Sequence, residues 1–267
     1  MNKTTNRPRK RRSYRCLAAS LGLAAAGGLP TVFADQTFQL DFENGLDGVG
    51  PKGETIRCVT PGILTPTDQG KNGRAALIAN RSLDAFQSLA DGAPLIETGH
   101  LKFELDSVLN RDQGSISMWV RPFFNGEYTG VPAGEQCHYY LFDSGQPDPA
   151  NTQERSGGIR ILLIHTRTPE GQVTVLSALL ALDTGETVQL EAAVSWDPEA
   201  WHQVGLSWDP VKATLFFDKY PVATQPTGSP MEDFQEFFTI GGTWYGTHPL
   251  QGLVDEVAIS DEPETPR

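Results

Sequence analysis

Glu104 and Asp106 are two carboxylates that alternate on one predicted strand and therefore share a face. Retaining glycoside hydrolases need two carboxylates about 5–5.5 Å apart, one as nucleophile and one as acid/base. The residues that follow in this chain are Val108 and Leu109 instead of a further acid. Whether the pair is catalytic therefore depends on the fold that carries it.

Asp255 is a second carboxylate of interest because apolar residues alternate around it. The period-two pattern places Asp255 with Leu253, Val257 and Ile259, on the face that a strand turns inward. A bare carboxylate is costly there. We expect it to be satisfied by backbone N–H groups, a side-chain donor or a cation.

Three aromatic residues lie in loops, where their rings cannot easily reach a core. Trp244 and Tyr245 belong to the glycine-flanked stretch 241–248, and Tyr128 lies in the loop 125–130. Exposed flat rings are surfaces on which the apolar face of a sugar stacks. These residues are the predicted ligand-binding set; the alternative is that Trp244 covers one end of the core.

The segment Trp201–Val222 predicts a β-hairpin. Val204, Leu206 and Trp208 recur with period two and share one face, and Asp209–Lys212 has the residues of a turn. A hairpin that is apolar on one face is not stable alone in water. A second sheet must therefore cover this hairpin.

The rest of the chain supplies the strands for such a sheet. Roughly thirteen short apolar segments, separated by turn residues every 8–12 positions, are typical of an antiparallel sandwich. One of them, Ser115–Arg121, carries Trp119 in its middle, and we predict that this side chain is buried in the core. The predicted fold class is all-β, a two-sheet antiparallel β-sandwich of the jelly-roll kind.

Four motifs in order resemble one family. They are Asp41–Gly45, Gly114–Pro122, the hairpin with W-H-x-V-x-L-x-W-D, and Gly252–Ile259. This set resembles laminin-G-like, concanavalin A-like lectin/glucanase sandwiches and implies their jelly roll. Members usually have Asp-Gly where this chain has Asp218 and Lys219. Because Lys adopts positive φ less readily than Gly, we predict a wider or slightly strained turn.

The resemblance also bears on catalysis. Hydrolases of this fold carry Glu-x-Asp-x-x-Glu or Glu-x-Asp-x-Glu on one strand, and here Leu109 or Val108 takes the last position. Lyases of this fold use Gln-x-His, and Leu163 precedes His165 at that spacing. We predict no catalytic residue and a non-catalytic recognition domain for extracellular carbohydrate. The alternatives are a structural or adhesive domain that binds a cell-surface protein, and a divergent polysaccharide hydrolase or lyase.

The resemblance further implies a possible structural Ca²⁺. Sandwiches of this family often hold one near the meeting of the first and last strands. Asp255 on the last strand, with Glu43 and Asp41 on the first, would supply the carboxylate oxygens that Ca²⁺ prefers. A hydrogen-bonded Asp255 without metal is the other interpretation.

Residues 1–34 have the pattern of a cleaved signal peptide. Seven basic residues precede the apolar run Leu17–Leu29, and Val32–Ala34 supplies small residues for cleavage after Ala34. Arg11 and Arg12 resemble a twin-arginine signal, although the general secretory route also suits this segment. We predict a secreted, periplasmic or cell-surface protein whose domain is 35–267, without a membrane span in the mature chain.

The mature chain is strongly acidic and keeps two cysteines. Cleavage removes seven of the 21 basic residues and none of the 33 acidic ones, so the net charge changes from −12 to −19. A chain without a basic stripe is a poor partner for nucleic acid. Cys58 and Cys137 predict a disulfide that closes a loop of roughly 80 residues, about 4–5 kcal/mol. Two buried thiols are the alternative.

Overall fold

The computed structural model describes residues 36–59, 65–78, 100–105, 108–122, 136–147, 155–168, 171–197, 200–234, 236–243 and 248–266. In these ranges the regular elements are strands. They are β1 (Gln36–Leu40), β2 (Gly48–Val49), β3 (Thr55–Ile56), β4 (Thr65–Thr67), β5 (Ala75–Ile78), β6 (Leu101–Glu104), β7 (Gly114–Pro122), β8 (Gln136–Asp143), β9 (Gln146–Pro147), β10 (Arg155–Ser156), β11 (Ile159–Thr168), β12 (Gly171–Ala181), β13 (Thr187–Val194), β14 (His202–Trp208), β15 (Lys212–Phe217), β16 (Tyr220–Pro226), β17 (Phe237–Ile240) and β18 (Gly252–Ser260).

Two antiparallel sheets form the domain. The ten-stranded sheet, here the large sheet, has the order β16-β15-β14-β7-β18-β1-β2-β3, with β5 on β18 and β4 on β5. The six-stranded small sheet has the order β13-β12-β11-β8-β17-β6, and β9 and β10 pair separately. The predicted all-β, two-sheet antiparallel sandwich is confirmed. Among the described residues, no helix has the length and apolar character needed to cross a membrane.

Aromatic side chains from both sheets meet in the core. The ring centroid of Phe38, on β1 of the large sheet, lies 5.0 Å from that of Phe103 and 5.3 Å from that of Phe238 on the small sheet. Phe142 stacks on Phe238 at 5.4 Å. All four are fully buried. Removing this apolar surface from water, at about 25 cal/mol per Å², drives the two sheets together.

The predicted hairpin lies near one edge of the large sheet, with β16 outside it. β14 pairs with β15, with Leu206 opposite Leu215. Asp209 closes the turn, because its Oδ1 accepts hydrogen bonds from the backbone N–H of Val211 at 2.7 Å and of Lys212 at 2.9 Å. Trp208 is 1% exposed, and its indole N–H donates to the carbonyl of Asn110 at 3.1 Å.

The second turn of this meander is tight and strained. Phe217 pairs with Tyr220, so Asp218 and Lys219 alone form the turn. Their φ angles are 49° and 71°, in the left-handed region that disfavours residues with a Cβ. Of the two predicted outcomes, the chain has the strained turn and not the wider one.

Trp119 lies on the opposite side of β7 from the prediction. Met118 and Val120 face the core, while Trp119 is half-buried on the outer face of the large sheet. Its ring lies under the Lys71 ammonium group, 4.3 Å from the centroid. The prediction was wrong because it took Trp119 for a core residue on its apolar ring alone, whereas the alternation places it on the same face as Ser115, Ser117 and Arg121.

Cys58 and Cys137 are not joined as a disulfide. Cys58 bridges to Phe103 on β6, Cys137 lies on β8, and β17 separates these two strands. Three strand spacings amount to about 14 Å, whereas a disulfide needs Cα atoms about 4.4–6.8 Å apart. The predicted cross-link is therefore incompatible with this topology.

Candidate functional site

Asp255 lies on the outer face of the large sheet and not in the core. Opposite β7, Asp255 pairs with Trp119 and Ala258 with Ser117, so β18 has one extra residue at this point. The bulge is at Glu256, whose φ is 46°. A bulge reverses the faces of all later residues. The predicted inward orientation of Asp255 was therefore wrong, although the residues after the bulge do face the core.

Asp255 is nevertheless fully buried, because the loop 68–74 covers it. Its Oδ2 accepts hydrogen bonds from the backbone N–H of Lys71 at 2.7 Å and of Asn72 at 3.2 Å, and its Oδ1 from that of Glu256 at 2.8 Å. Burial raises the pKa of Asp255 to about 6, and the N–H donors oppose this rise. The Glu256 charge adds to it.

The predicted co-ligands of Asp255 also serve the backbone. Glu43 Oε1 accepts a hydrogen bond from the N–H of Arg74 at 2.6 Å, and Asp41 Oδ1 accepts one from the N–H of Glu43 at 3.1 Å. Glu43 and Asp255 thus hold the same loop through different amides. N–H donors bond to both oxygens of Asp255, so this carboxylate is satisfied without a cation, and the predicted Ca²⁺ stays a prediction. In the described ranges no three His, Cys, Asp or Glu are grouped to hold a metal ion.

The predicted sugar-binding residues Trp244, Tyr245 and Tyr128 lie outside the described residues. The base of the segment that carries the first two is described. Gly241 donates its N–H to the carbonyl of Leu141 at 2.9 Å and accepts that of Leu250 at 2.8 Å. These bonds join Gly241 to Leu141 of β8 and to Leu250.

β8 presents aromatic and imidazole groups next to that base. Tyr140 donates its backbone N–H to the carbonyl of His248 at 3.1 Å, and their ring centroids are 6.0 Å apart. The ring of His138, two residues before Tyr140, lies 6.5 Å from that of His248. Burial lowers the pKa of His138, which favours its neutral form. We call His138, Tyr140 and His248 the β8 patch.

The β8 patch lies on the outer face of the small sheet. Tyr140 is opposite Leu162, and His138 is opposite Ile164, on β11. On the same face, across the neighbouring strands β17 and β6, the Lys102 ammonium group lies 4.2 Å from the ring centroid of Phe237. Flat rings with nearby donors and acceptors suit a polar ligand with apolar faces. Sequence reasoning missed this patch, and the alternation along 136–143 was the available signal.

The carboxylates described on this face do not form a hydrolase pair. Glu104 on β6 and Asp143 on β8 are separated by β17, hence by about 10 Å or more. Asp143 is 2% exposed and accepts the N–H of Gly145 at 3.0 Å. His165 pairs with Cys137 on β8. It therefore points to the other face of the small sheet from the β8 patch, and it is 5% exposed. Asp106 lies outside the described residues.

Comparison with known proteins identifies one matching family and several solved structures of similar fold. Residues 96–267 match Laminin_G_3, described as concanavalin A-like lectin/glucanases superfamily. The fold resembles the binding domain of Paraclostridial Mosquitocidal Protein 1 (12% identity, TM-score 0.58, 86% of this chain and 50% of that one) and that of botulinum neurotoxin serotype G (10%, 0.56, 86% and 49%). It also resembles domain 4 of AbnA, a GH43 extracellular arabinanase from Geobacillus stearothermophilus, in complex with arabinotriose (18%, 0.50, 87% and 95%).

The chain spans about half the length of the toxin chains that it matches. At these sequence identities, the similarity to the solved structures shows the fold alone. Among curated proteins, none matches the chain.

Proposed function

The chain belongs to the concanavalin A-like lectin/glucanases superfamily, and from that premise we propose that it is an exported, non-catalytic recognition domain for extracellular carbohydrate. The observation that carries the proposal is the β8 patch beside the base of the segment with Trp244 and Tyr245. Aromatic faces for stacking and polar groups for hydroxyls then converge on one side of the small sheet.

The neighbouring structures support binding and not chemistry. Two are toxin binding domains, and one is an arabinanase domain in complex with arabinotriose. A fold hosts many functions, so this support is by analogy. The separation of Glu104 from Asp143 agrees with it, because retaining hydrolysis needs about 5–5.5 Å.

A glycan array with purified variants tests the proposal. We expect Trp244→Ala and Tyr140→Ala each to weaken binding at least about tenfold, roughly 1.4 kcal/mol, because each removes a stacking surface. Tyr220→Ala is the matched control, since Tyr220 is 74% exposed at the end of the large sheet. Melting curves of all variants separate lost binding from lost folding.

Three outcomes would contradict the proposal. Binding that survives both substitutions would exclude this face. An array without any bound glycan would favour the alternative of a cell-surface protein partner, which cross-linking in the envelope fraction would identify. Reducing ends or unsaturated products released from a polysaccharide panel would instead favour a divergent hydrolase or lyase.

A further inference from the structure

The chain after β18 folds back across the outer face of the large sheet. We call residues 261–266 the returning segment. Near its start, Glu262 accepts a hydrogen bond from the side-chain amide of Gln113 at 2.9 Å. At its end, Pro266 is buried against Gly205 on β14. Because β7 lies between β18 and β14, the returning segment crosses β7 to reach this position.

Small residues form the groove in which the returning segment lies. Both neighbours of Gly205 in β14 belong to the core, so a side chain at position 205 would point outward. A Cβ there would collide with Cγ of Pro266. Ser117 of β7 is the cross-strand partner of Gly205, and Ser115 and Ser207 pair at the next outward position. The missing side chain therefore opens the space that the proline ring fills.

An aromatic side chain lines the other side of this groove. Phe216 of β15 is directly opposite Gly205 and shares its outward face. It is only 6% exposed, although it does not face the core. Directly opposite residues have Cβ positions about 4.5–5.5 Å apart, so the Pro266 ring lies beside the Phe216 side chain. Proline with its fixed φ is a ligand that aromatic-lined grooves take at low entropic cost.

Exposure alternates along the returning segment. Glu264 is half-buried and Pro266 is buried, whereas Pro263 and Thr265 are exposed. In the described part of the chain, residues 261–266 join no β-ladder. Side-chain contacts with the sheet surface therefore hold this segment in place of ladder hydrogen bonds. That is how a groove binds an extended peptide, and it differs from the addition of a strand to a sheet edge.

We propose that the groove at Gly205 is a binding site for an extended peptide that carries a proline, and that the returning segment is a ligand supplied by the same chain. The proline ring fills the space at Gly205 beside Phe216, and a carboxylate four residues earlier accepts from Gln113. While it is seated, the returning segment closes this face to a similar peptide from another chain. The groove and the β8 patch lie on different sheets, so this inference does not rest on the proposed carbohydrate function.

Full-length variants and a labelled synthetic peptide with the sequence of residues 261–266 and blocked ends test the proposal. Pro266→Asp should release the returning segment, because it places a charge against an apolar surface. This variant should bind the added peptide at least about tenfold more tightly than the wild type, whose own segment competes at high effective concentration. Pro266→Ala is a milder second variant and should change the affinity in the same direction.

Changes in the peptide identify the group that is recognised. The Pro266→Ala peptide should bind the Pro266→Asp protein at least about tenfold more weakly than the original peptide, because it lacks the buried ring. The Pro263→Ala peptide is the matched control, since Pro263 is exposed, and its affinity should be unchanged.

Melting curves test the contact within the chain separately. Gly205→Ala should lower the melting temperature of the wild type, because its Cβ meets Pro266, and should lower it less in the Pro266→Asp background. The peptide titration does not require the Gly205 variant to fold. No binding of the peptide by Pro266→Asp at millimolar concentration, equal affinity of the original and Pro266→Ala peptides, or an equal effect of Gly205→Ala in both backgrounds would each overturn the proposal.

Discussion

Asp255 shows how a carboxylate can be buried without a counter-ion. Three backbone N–H groups point at its two oxygens, and two of them come from the loop 68–74. Asn72 reinforces this link through its side-chain amide, which donates to Glu256. A single side chain therefore ties the last strand to a loop about 180 positions earlier in the chain.

The raised pKa of Asp255 makes the stability of the fold depend on pH. Its folded pKa is about 6, against an ordinary value of 3.8. Between these values the folded protein binds a proton that the unfolded chain does not, so this group adds stability as pH falls from above 6 towards 4. The full change is about 3 kcal/mol. Urea unfolding at several pH values should show this rise in the wild type and not in Asp255→Asn; equal slopes would contradict the assignment.

Chelation tests whether Asp255, Glu43 and Asp41 hold Ca²⁺ after all. Because N–H donors already bond to both oxygens of Asp255, we expect EDTA to leave the melting temperature unchanged within about a degree. A bound ion at a hundredfold excess over its Kd would contribute about 2.7 kcal/mol. A fall of about 5 °C or more on chelation, reversed by added Ca²⁺, would restore the metal-site interpretation.

At the scale of elements, two left-handed residues without glycine form the turn of a tight hairpin. Asp218 is held in this conformation by its side chain, which accepts hydrogen bonds from His202 Nδ1 at 2.9 Å and from the N–H of Gln203. These bonds reach the neighbouring strand β14 and help to offset the strain of the positive φ. Lys219 is exposed, and no hydrogen bond of its side chain is described that would offset the strain.

Lys219→Gly should therefore stabilise the protein. A left-handed residue with a Cβ costs about 1–2 kcal/mol, part of which is lost again to the greater freedom of Gly in the unfolded chain. We expect a net gain of about 0.5–1 kcal/mol in the free energy of unfolding, measured by urea denaturation. Lys212→Gly, in the strand β15, is the control and should lower stability. A lower midpoint for Lys219→Gly would show that the turn is not strained.

At the scale of the whole molecule, we propose export, because residues 1–34 have the pattern of a signal peptide. Residues 32–267 form one compact unit, and the domain bounds 35–267 stay a prediction. We propose cleavage after Ala34, and the intact mass of protein recovered from the periplasm or medium should correspond to a chain beginning at Asp35. Recovery of the uncleaved chain in the cytoplasm would contradict it. Replacing Arg11 and Arg12 by Lys should block export if the twin-arginine route is used.

The sequence by itself determined the strands and the fold class. Val204, Leu206 and Trp208 alternate with polar neighbours, and such a period is a local property of the chain. The turn at Asp209 is likewise local, because its side chain bonds to the next residues of the backbone. Four motifs in order then sufficed for the family.

Only the tertiary structure decided what lies on each face and what lies nearby. Trp119 shares the outer face of β7 with Ser115, Ser117 and Arg121, and only the fold brings Lys71 over its ring. Asp255 faces outward while Val257 and Ile259 face the core, because the bulge at Glu256 adds one residue between them. Cys58 and Cys137 are kept apart by strand order, and Tyr140 meets His248 because a backbone hydrogen bond joins β8 to a residue outside the strands. Strand order and bulges depend on contacts between residues far apart in the chain, which no local period encodes.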